Sequence, residues 1–393
     1  MSESFFLSPN LAWPLALILA WVAGEFGHRR TGLPRISIYG LVGFVLANLQ
    51  SGLLPSSDSI VLLANIAFGL ILFELGYRIN LRWLRSNPWL GVTSLTEALL
   101  TFIAVFYVAQ AFGVEIIPSL LLASLAMATS PAAILRVVNE EHSSGQVTER
   151  ILHLSAFNCV LAVFTFKVVV GLWVFHTTGD ILHALWNSLV FLMFSALLGG
   201  LFGIAVPALL SRLNNSERDA TVVFAIAVIA LVALTHALDF SPVLATLAFG
   251  LIARHRRIAL SQAEKNFGTL GNLLTVLLFV FMSSTLEWSM VMAGAGLALV
   301  LVIVRFAVKT LAVAAFSHVG GITWRKGVLT GVALTPLSAF VILLLEQTRH
   351  LGIGLIEELT ALAAITLILE VVGPIVTHWA LVLAKEVPDS DRS

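Results

Sequence analysis

The chain has 393 residues, of which 59% are hydrophobic and 11% are charged, and its mean hydropathy is +0.98. A soluble domain of this size would not tolerate such a surface, so the composition predicts an all-α polytopic membrane protein. The formal net charge is zero, which gives no indication of a nucleic-acid partner. The single cysteine, Cys159, excludes an internal disulfide.

Apolar runs long enough to cross a bilayer, about 20 residues each, follow one another along the whole chain. We expect the first run to be retained, because no basic segment and no cleavage site of a signal peptide accompany it. We predict about thirteen transmembrane helices, at residues 11–27, 34–53, 58–77, 88–112, 115–139, 148–175, 180–211, 217–238, 241–255, 261–285, 287–317, 322–347 and 352–384.

Basic residues are distributed unevenly between the two ends of these helices. If the N-terminus is outside, the odd-numbered connections and the C-terminal tail are cytoplasmic, and they contain nearly all of the 22 Lys and Arg. Arg349 falls in an outer connection, whereas Lys167, Arg305 and Lys309 lie inside predicted helices. The positive-inside rule therefore predicts an outside N-terminus and a cytoplasmic C-terminus.

Two of the predicted helices are interrupted near their middles by proline. The fifth contains Thr129-Ser130-Pro131 and the twelfth contains Thr335-Pro336-Leu337-Ser338. Proline removes a backbone hydrogen bond, and hydrocarbon cannot satisfy the groups that it frees, so such breaks occur where they line a cavity. Pro131 and Pro336 are 205 residues and seven helices apart, an odd number of helices that makes the two halves inverted repeats. Matched breaks of this kind indicate the binding site of a secondary transporter.

Several short motifs resemble, in their order and spacing, those of the cation/proton antiporter superfamily. This superfamily includes the membrane domains of sodium/proton exchangers and of glutathione-gated potassium efflux proteins. The motifs are Gly32-Leu33-Pro34-Arg35, Leu72 to Gly76, Thr129-Ser130-Pro131, Arg136 to Glu140, Ser241 to Ala245 with Gly250-Leu251, and Gly331 to Pro336 with Ala339-Phe340-Val341. The resemblance covers essentially the whole chain.

The resemblance implies an antiporter fold with two crossed discontinuous helices in a single membrane domain, residues 1–393. It also implies a homodimer in the inner (plasma) membrane of a prokaryote. The implied parts are mobile core helices at 88–175 and 287–384, scaffold and dimer helices at 11–77 and 217–285, and a linker helix at 180–211.

The chain departs from the family at the ion site. The family has an acidic pair on its sixth helix whose second aspartate binds the ion or the proton, and the matching positions here are Asn158 and Cys159. A thiol is a soft, poor ligand for sodium or potassium, and its alternative role is that of a small buried apolar side chain. The candidate ion-binding residues are Thr129, Ser130, Asn158, Cys159, Thr335 and Ser338, the last standing where many potassium-type members have a glutamate.

Three charged residues fall in one layer near the middle of the bilayer, counting a rise of ~1.5 Å per residue: Glu97, Arg305 and Lys309. A charge at this depth costs roughly 2.5–3.5 kcal/mol on insertion scales, so we predict that Glu97 pairs with Lys309 or Arg305. The resemblance implies a basic residue in the eleventh helix that pairs with the site aspartate or competes with the cation for it, and both Arg305 and Lys309 fit its pattern. The alternative is that the base bridges the broken helices and satisfies their free carbonyls. Glu370 is either a further site acid or a partner of Lys167.

The sequence predicts a secondary active transporter, a monovalent cation (Na⁺ or K⁺)/proton antiporter that works by alternating access. Its ion lies between the broken helices and Glu97 carries the proton. We find no phosphate-binding loop and no metal-binding Cys/His cluster, so we expect neither an enzyme nor a cofactor beyond the transported cation and protons. The expected partners are membrane lipid and a small ion, without nucleic acid and without a nucleotide-binding regulatory domain in this chain.

Two alternatives remain open on the sequence alone. The same fold could carry an anion or a weak acid, with Lys309 or Arg305 as the ligand, because the pair at the ion site is neutral. The chain could instead be a non-transporting membrane scaffold or subunit that lost the aspartate. A carboxylate close to Lys309 favours transport, and a dry, tightly packed crossing favours the scaffold.

Overall fold

The computed structural model describes residues 9–49, 54, 57–174, 181–212, 220–238, 240–255, 261–337, 341, 344 and 359–388, and these residues contain no β-strand. The helices, in chain order, are α1 (Pro9–Thr31), α2 (Arg35–Leu49), α3 (Asp58–Arg78), α4 (Leu81–Ser86), α5 (Trp89–Ala111), α6 (Ile116–Ala126), α7 (Pro131–Glu140), α8 (Gln146–Val174), α9 (Ile181–Arg212), α10 (Ala220–Ala237), α11 (Pro242–His255), α12 (Ser261–Ser284), α13 (Trp288–Ala315), α14 (Trp324–Ala333) and α15 (Leu359–Leu383).

The predicted all-α membrane fold is confirmed. Within the described ranges, nine segments are long and apolar enough to cross a membrane, and α2, α11 and the 271–284 part of α12 are shorter apolar helices. Large apolar side chains such as Leu197, Leu201 and Ile303 are exposed on these helices, as expected for surfaces that face lipid. The count of thirteen stays a prediction, because much of the predicted twelfth helix lies outside the described residues.

The chain forms two compact units. The first contains residues 1–57, 83–170 and 279–393, and the second contains residues 58–82 and 171–278. These units divide the chain differently from the scaffold and core implied by the family resemblance, and that division stays a prediction.

Aromatic rings and small residues hold the second unit together. Phe73 on α3 contacts Phe224 on α10 and Phe249 on α11, with ring centroids 5.3 Å and 4.7 Å away. Gly250 on α11 lies directly on the backbone of α3 at Phe73 and Tyr77. A residue without a side chain at this position lets the two helices pack at backbone contact, as is common in membranes.

The first unit contains the broken helix predicted around Pro131. α6 and α7 form one apolar span, and its most hydrophobic stretch is entirely buried, whereas most of the corresponding stretch of α9 or α13 is not buried. Its interrupted backbone is therefore enclosed by protein, which is where a break in a membrane helix can be tolerated.

Candidate functional site

The break between α6 and α7 contains the capping residues typical of a helix N-terminus. Ser130 takes an extended conformation (φ −73°, ψ 104°), and its hydroxyl accepts a hydrogen bond from the backbone N–H of Ala133. Pro131 occupies the first helical position, where a missing N–H costs nothing. The Thr-Ser-Pro sequence therefore ends one half-helix and starts the next.

The second break contacts the first through the backbone. α14 ends at Ala333, and the non-helical residues that follow include Pro336, whose carbonyl accepts a 2.9 Å hydrogen bond from the N–H of Ser130. The hydroxyl of Thr335 donates a 2.5 Å hydrogen bond to the carbonyl of Val332 in the last turn of α14. The two broken helices thus meet at the residues that sequence reasoning selected.

Arg305 on α13 fills this crossing. Its guanidinium donates to the carbonyls of Ala126 (2.9 Å), Ala128 (2.7 Å), Thr335 (2.6 Å) and Pro336 (3.4 Å). Both α6 and α14 end here, so two helix C-termini with their negative partial charge face one planar cation. Arg305 is 1% exposed, and its charge is balanced by backbone dipoles rather than by an acid. Arg305 thus has the position expected of a base that bridges the breaks and satisfies their free carbonyls.

Lys309, one turn further along α13, contacts the carboxylate of Glu97 on α5. The same ammonium group donates to the carbonyl of Met127 at 3.0 Å and to the hydroxyl of Thr129 at 3.3 Å. Both charged side chains are buried, with 1% and 0% exposure, so their Coulomb attraction is little screened by water. The second oxygen of Glu97, Oε2, has no hydrogen-bond partner among the described residues.

Asn158 on α8 links the first break to α5 through its side-chain amide. Its amide nitrogen donates to the Thr129 hydroxyl at 3.1 Å, and its amide oxygen accepts from the Ser94 hydroxyl at 3.1 Å. Cys159 is buried, and its thiol lies 3.3 Å from the carbonyl of Thr129. The aspartate position of the family is therefore held by a neutral group that contacts backbone.

The structure brings most of the predicted site residues together, but with different tasks. Glu97, Lys309, Thr129, Asn158 and Cys159 form one contact network, and Arg305 joins the two breaks. The Ser130 hydroxyl instead caps α7, and the Thr335 hydroxyl contacts its own helix end. Ser338 lies outside the described residues.

Sequence reasoning did not identify two members of the network. Ser94 is one turn before Glu97 on α5, and this spacing was the only signal that could have placed it on the same face. Thr101, one turn after Glu97, donates to that residue's carbonyl at 2.8 Å. The described residues contain no group of three or more His, Cys, Asp or Glu side chains that could bind a metal ion.

Comparison with known proteins then decides the family. A family model described as "Sodium/hydrogen exchanger, transmembrane" matches residues 15–383. The chain belongs to this family. Sodium/hydrogen exchangers are transporters, so the predicted cation/proton antiporter is confirmed at the level of the family, and neither alternative function is favoured.

Named relatives of this exchanger agree with that assignment. The chain is 23% identical over 338 residues to the "Ammonium/H(+) antiporter subunit AmhT" of Alkalihalophilus pseudofirmus, covering 84% of each protein. Two solved structures of the sodium proton antiporter MjNhaP1 from Methanocaldococcus jannaschii have the same fold. The structure at pH 8 has a TM-score of 0.67 and 17% identity, over 94% of each chain. The electron-microscopy structure has a TM-score of 0.68 and 16% identity, over 95% of this chain and 94% of that one.

Proposed function

We propose that this exchanger moves a monovalent cation against protons at the buried pair of Glu97 and Lys309, which stands in for the missing aspartate. The observation that carries the proposal is the contact between these side chains at the break of the α6–α7 helix. An ion pair in the membrane interior marks a transport pathway more often than a structural need. Here it is also the only charge pair in direct contact with the described part of the crossing.

The surroundings of the Lys309 ammonium suit a small cation. Three oxygen atoms accept hydrogen bonds from its N–H groups, one each on Glu97, Met127 and Thr129. A sodium, potassium or ammonium ion could use the same oxygens, with the unpartnered Oε2 of Glu97 as a further ligand. The carbonyls nearer the crossing are already occupied by Arg305, which restricts the ion to the Glu97 side.

Competition between Lys309 and the cation gives coupled exchange. When a cation binds Glu97, Lys309 loses its partner, and an unpaired ammonium in the membrane interior gives up its proton. Glu97 keeps its negative charge and now holds the cation, and one proton leaves for each cation bound. The reverse reaction on the other side of the membrane, after alternating access, completes a cycle that moves no net charge at this pair.

The same contacts argue against an anion carrier. The charge of Lys309 is matched by Glu97, and that of Arg305 by four carbonyls, so neither presents an unmatched positive charge. The named ammonium antiporter subunit makes ammonium worth testing beside sodium and potassium, because the site already holds an ammonium group.

The arrangement in the membrane is part of this proposal. Clusters such as Arg29, Arg30 and Arg35, or Arg254, Arg256 and Arg257, support an outside N-terminus and a cytoplasmic C-terminus. On the basis of the family resemblance, we propose a homodimer in a prokaryotic plasma membrane. Its core helices move against the scaffold. Cys159 and Ser338 stay candidate ligands of the ion.

Reconstitution into liposomes that contain a pH-sensitive dye tests the proposal. Opposed gradients of sodium, potassium, ammonium and chloride are applied in turn, and protein-free vesicles correct for passive ammonia flux. We expect cation-dependent proton flux from the wild type, flux at the protein-free level from Glu97→Gln, and unchanged flux from Glu287→Gln. Glu287 is the matched control because its carboxylate is exposed before α13.

Three results would contradict the proposal. Exchange that persists in Glu97→Gln would show that the carboxylate is not the ion site. Proton flux driven by chloride would indicate the anion carrier, and the absence of flux with every gradient would indicate the scaffold.

A further inference from the structure

A second carboxyl group lies buried in the first unit, away from the Glu97 pair. Glu370 is near the middle of α15 and 5% exposed, and neither of its carboxyl oxygens has a hydrogen-bond partner among the described residues. A polar group without a partner destabilises a protein interior, and more so when it is charged. Its retention at this depth calls for a function.

Hydroxyl groups on three helices lie beside this carboxyl group or one helical turn away from its contacts. It lies over Gly40 on α2, where an added Cβ would be 3.3 Å from Cγ and Cδ of Glu370 and 3.1 Å from the hydroxyl of Ser283 on α12. Ser37 is one turn before Gly40, and Thr366 is one turn before Glu370. The hydroxyls of Ser37, Ser283 and Thr366 are buried and have no hydrogen-bond partner in the described structure.

The charged groups on the helices packed against α15 contact other residues. Arg35 on α2 binds Glu25 and Glu140. Lys309 on α13 binds Glu97, and Lys326 on α14 binds Glu386. The remaining titratable groups on these helices and on α15 are Tyr39, Arg136, Arg305, Arg325 and His378, and the last of these contacts Glu141. The 271–284 part of α12 has no charged residue.

An ionised Glu370 would therefore be an unmatched charge in the membrane interior, which is unfavourable. Protonation removes that charge. On the side that faces α2 the site has little space for a larger cation, because even a methyl group on Gly40 would be in tight contact with Glu370 and Ser283. A proton needs no cavity and no shell of ligands.

We propose that Glu370, with the hydroxyls of Ser283, Ser37 and Thr366 around it, is a second proton-binding site that carries one proton in each transport cycle. In the conformation described here the carboxyl group is protonated and neutral. When the cycle brings it into contact with water on the other side, the O–H bond breaks, the proton leaves, and a carboxylate remains until it is reprotonated. This role rests on the proposed exchange at Glu97 and Lys309. It adds a second proton to the one displaced there, so one positive charge moves per cycle.

Infrared spectroscopy of the purified protein in lipid tests the protonation without relying on transport. The wild type at neutral pH should show the carbonyl stretching band of a protonated carboxylic acid, and Glu370→Gln should lose it. Glu287→Gln should keep the band. Ser283→Ala, which leaves the carboxyl group in place, should shift it because a neighbouring hydroxyl is removed. A spectrum without this band, or a band that Glu370→Gln retains, overturns the proposal.

The number of protons per cation is measured in proteoliposomes at zero membrane potential with a sodium or potassium gradient. A tenfold gradient is balanced by a pH difference of about half a unit if two protons move per cation, and of about one unit if one proton moves. We expect the first value for the wild type and for Glu287→Gln, and the second for Glu370→Gln. Equal values for the wild type and Glu370→Gln overturn the carrier role while leaving Glu97 and Lys309 as the exchange site. A wild type without exchange instead contradicts the proposed function, and the infrared band then decides the protonation of Glu370.

Discussion

Two basic side chains one helical turn apart in α13 have different partners. Arg305 reaches four backbone carbonyls with a planar guanidinium, whereas the ammonium of Lys309 takes one carboxylate and two further oxygens. The shape of the charged group determines this division, since a rigid fork matches several acceptors and a compact ammonium matches a small pocket. Arg305 holds the crossing together, and Lys309 is the group that can exchange its partner.

Replacing Arg305 by lysine tests the bridging role. A lysine keeps the charge but offers only three N–H donors from one nitrogen, so at least one of the four hydrogen bonds to these carbonyls is lost. We expect Arg305→Lys to lower the stability by about 1–3 kcal/mol, measured as a lower midpoint of thermal unfolding in detergent. Arg325→Lys is the matched control, because Arg325 contacts a single carbonyl, that of Leu383, at an exposed position. Equal midpoints for the two variants would contradict the bridging role.

The charged layer could be predicted from the sequence, but its pairing could not. The rise per residue placed Glu97, Arg305 and Lys309 in one layer near the middle of the bilayer, and the cost of a buried charge predicted that the carboxylate pairs with one of the two bases. Arg305 and Lys309 lie on one face of the helix, so helical spacing did not distinguish which base meets the carboxylate. Ser94 was not identified, because a serine in an apolar helix resembles any small packing residue.

At the scale of the helices, the breaks were predictable because proline determines them locally. Ser130 and Pro131 form an N-cap and a first helical residue, and Pro336 follows the end of α14. How closely other helices pack against the breaks was not predictable, because glycines occur throughout apolar segments. Gly373 on α15 is such a residue, and an added Cβ there would lie 2.6 Å from Cα of Pro336.

We predict that Gly373→Ala displaces the second break. The atoms that its methyl group would meet are Cα, Cβ and N of Pro336, at 2.6–3.0 Å, and a backbone cannot rotate away as a side chain can. The expected loss of stability is about 1–3 kcal/mol, with slower exchange in liposomes. Gly296→Ala on α13 is the control, because no atom lies within 4 Å of its added Cβ. Alanine is also the better helix former there by about 0.5–1 kcal/mol. Indistinguishable unfolding midpoints and exchange rates would show that α15 does not pack on the break.

For the whole molecule, hydropathy and the distribution of basic residues predicted a multi-pass all-α protein, and the fold of the sodium/proton antiporters confirms it. The composition of apolar helices does not specify which of them pack together. Residues 1–57, for example, belong to the compact unit that contains the crossing rather than to the other one. That grouping depends on tertiary contacts such as the approach of Gly40 to Glu370, which no local pattern reveals.

We propose that the pair of Glu97 and Lys309 exchanges ions and does more than stabilise the fold. Removing one partner of a buried ion pair costs about 3–5 kcal/mol, because the remaining group either stays charged without a partner or has to change its protonation, so Glu97→Gln and Lys309→Met should each lower the unfolding midpoint. The double variant Glu97→Gln/Lys309→Met has no unmatched charge at the pair, and its midpoint should return close to that of the wild type.

The decisive measurement is cation-driven proton flux in liposomes by this double variant, at a temperature where both it and the wild type are fully folded. We expect a stable protein without exchange, because the group that binds the cation and the group that releases the proton are both gone. Exchange by the double variant at the rate of the wild type would contradict the proposal.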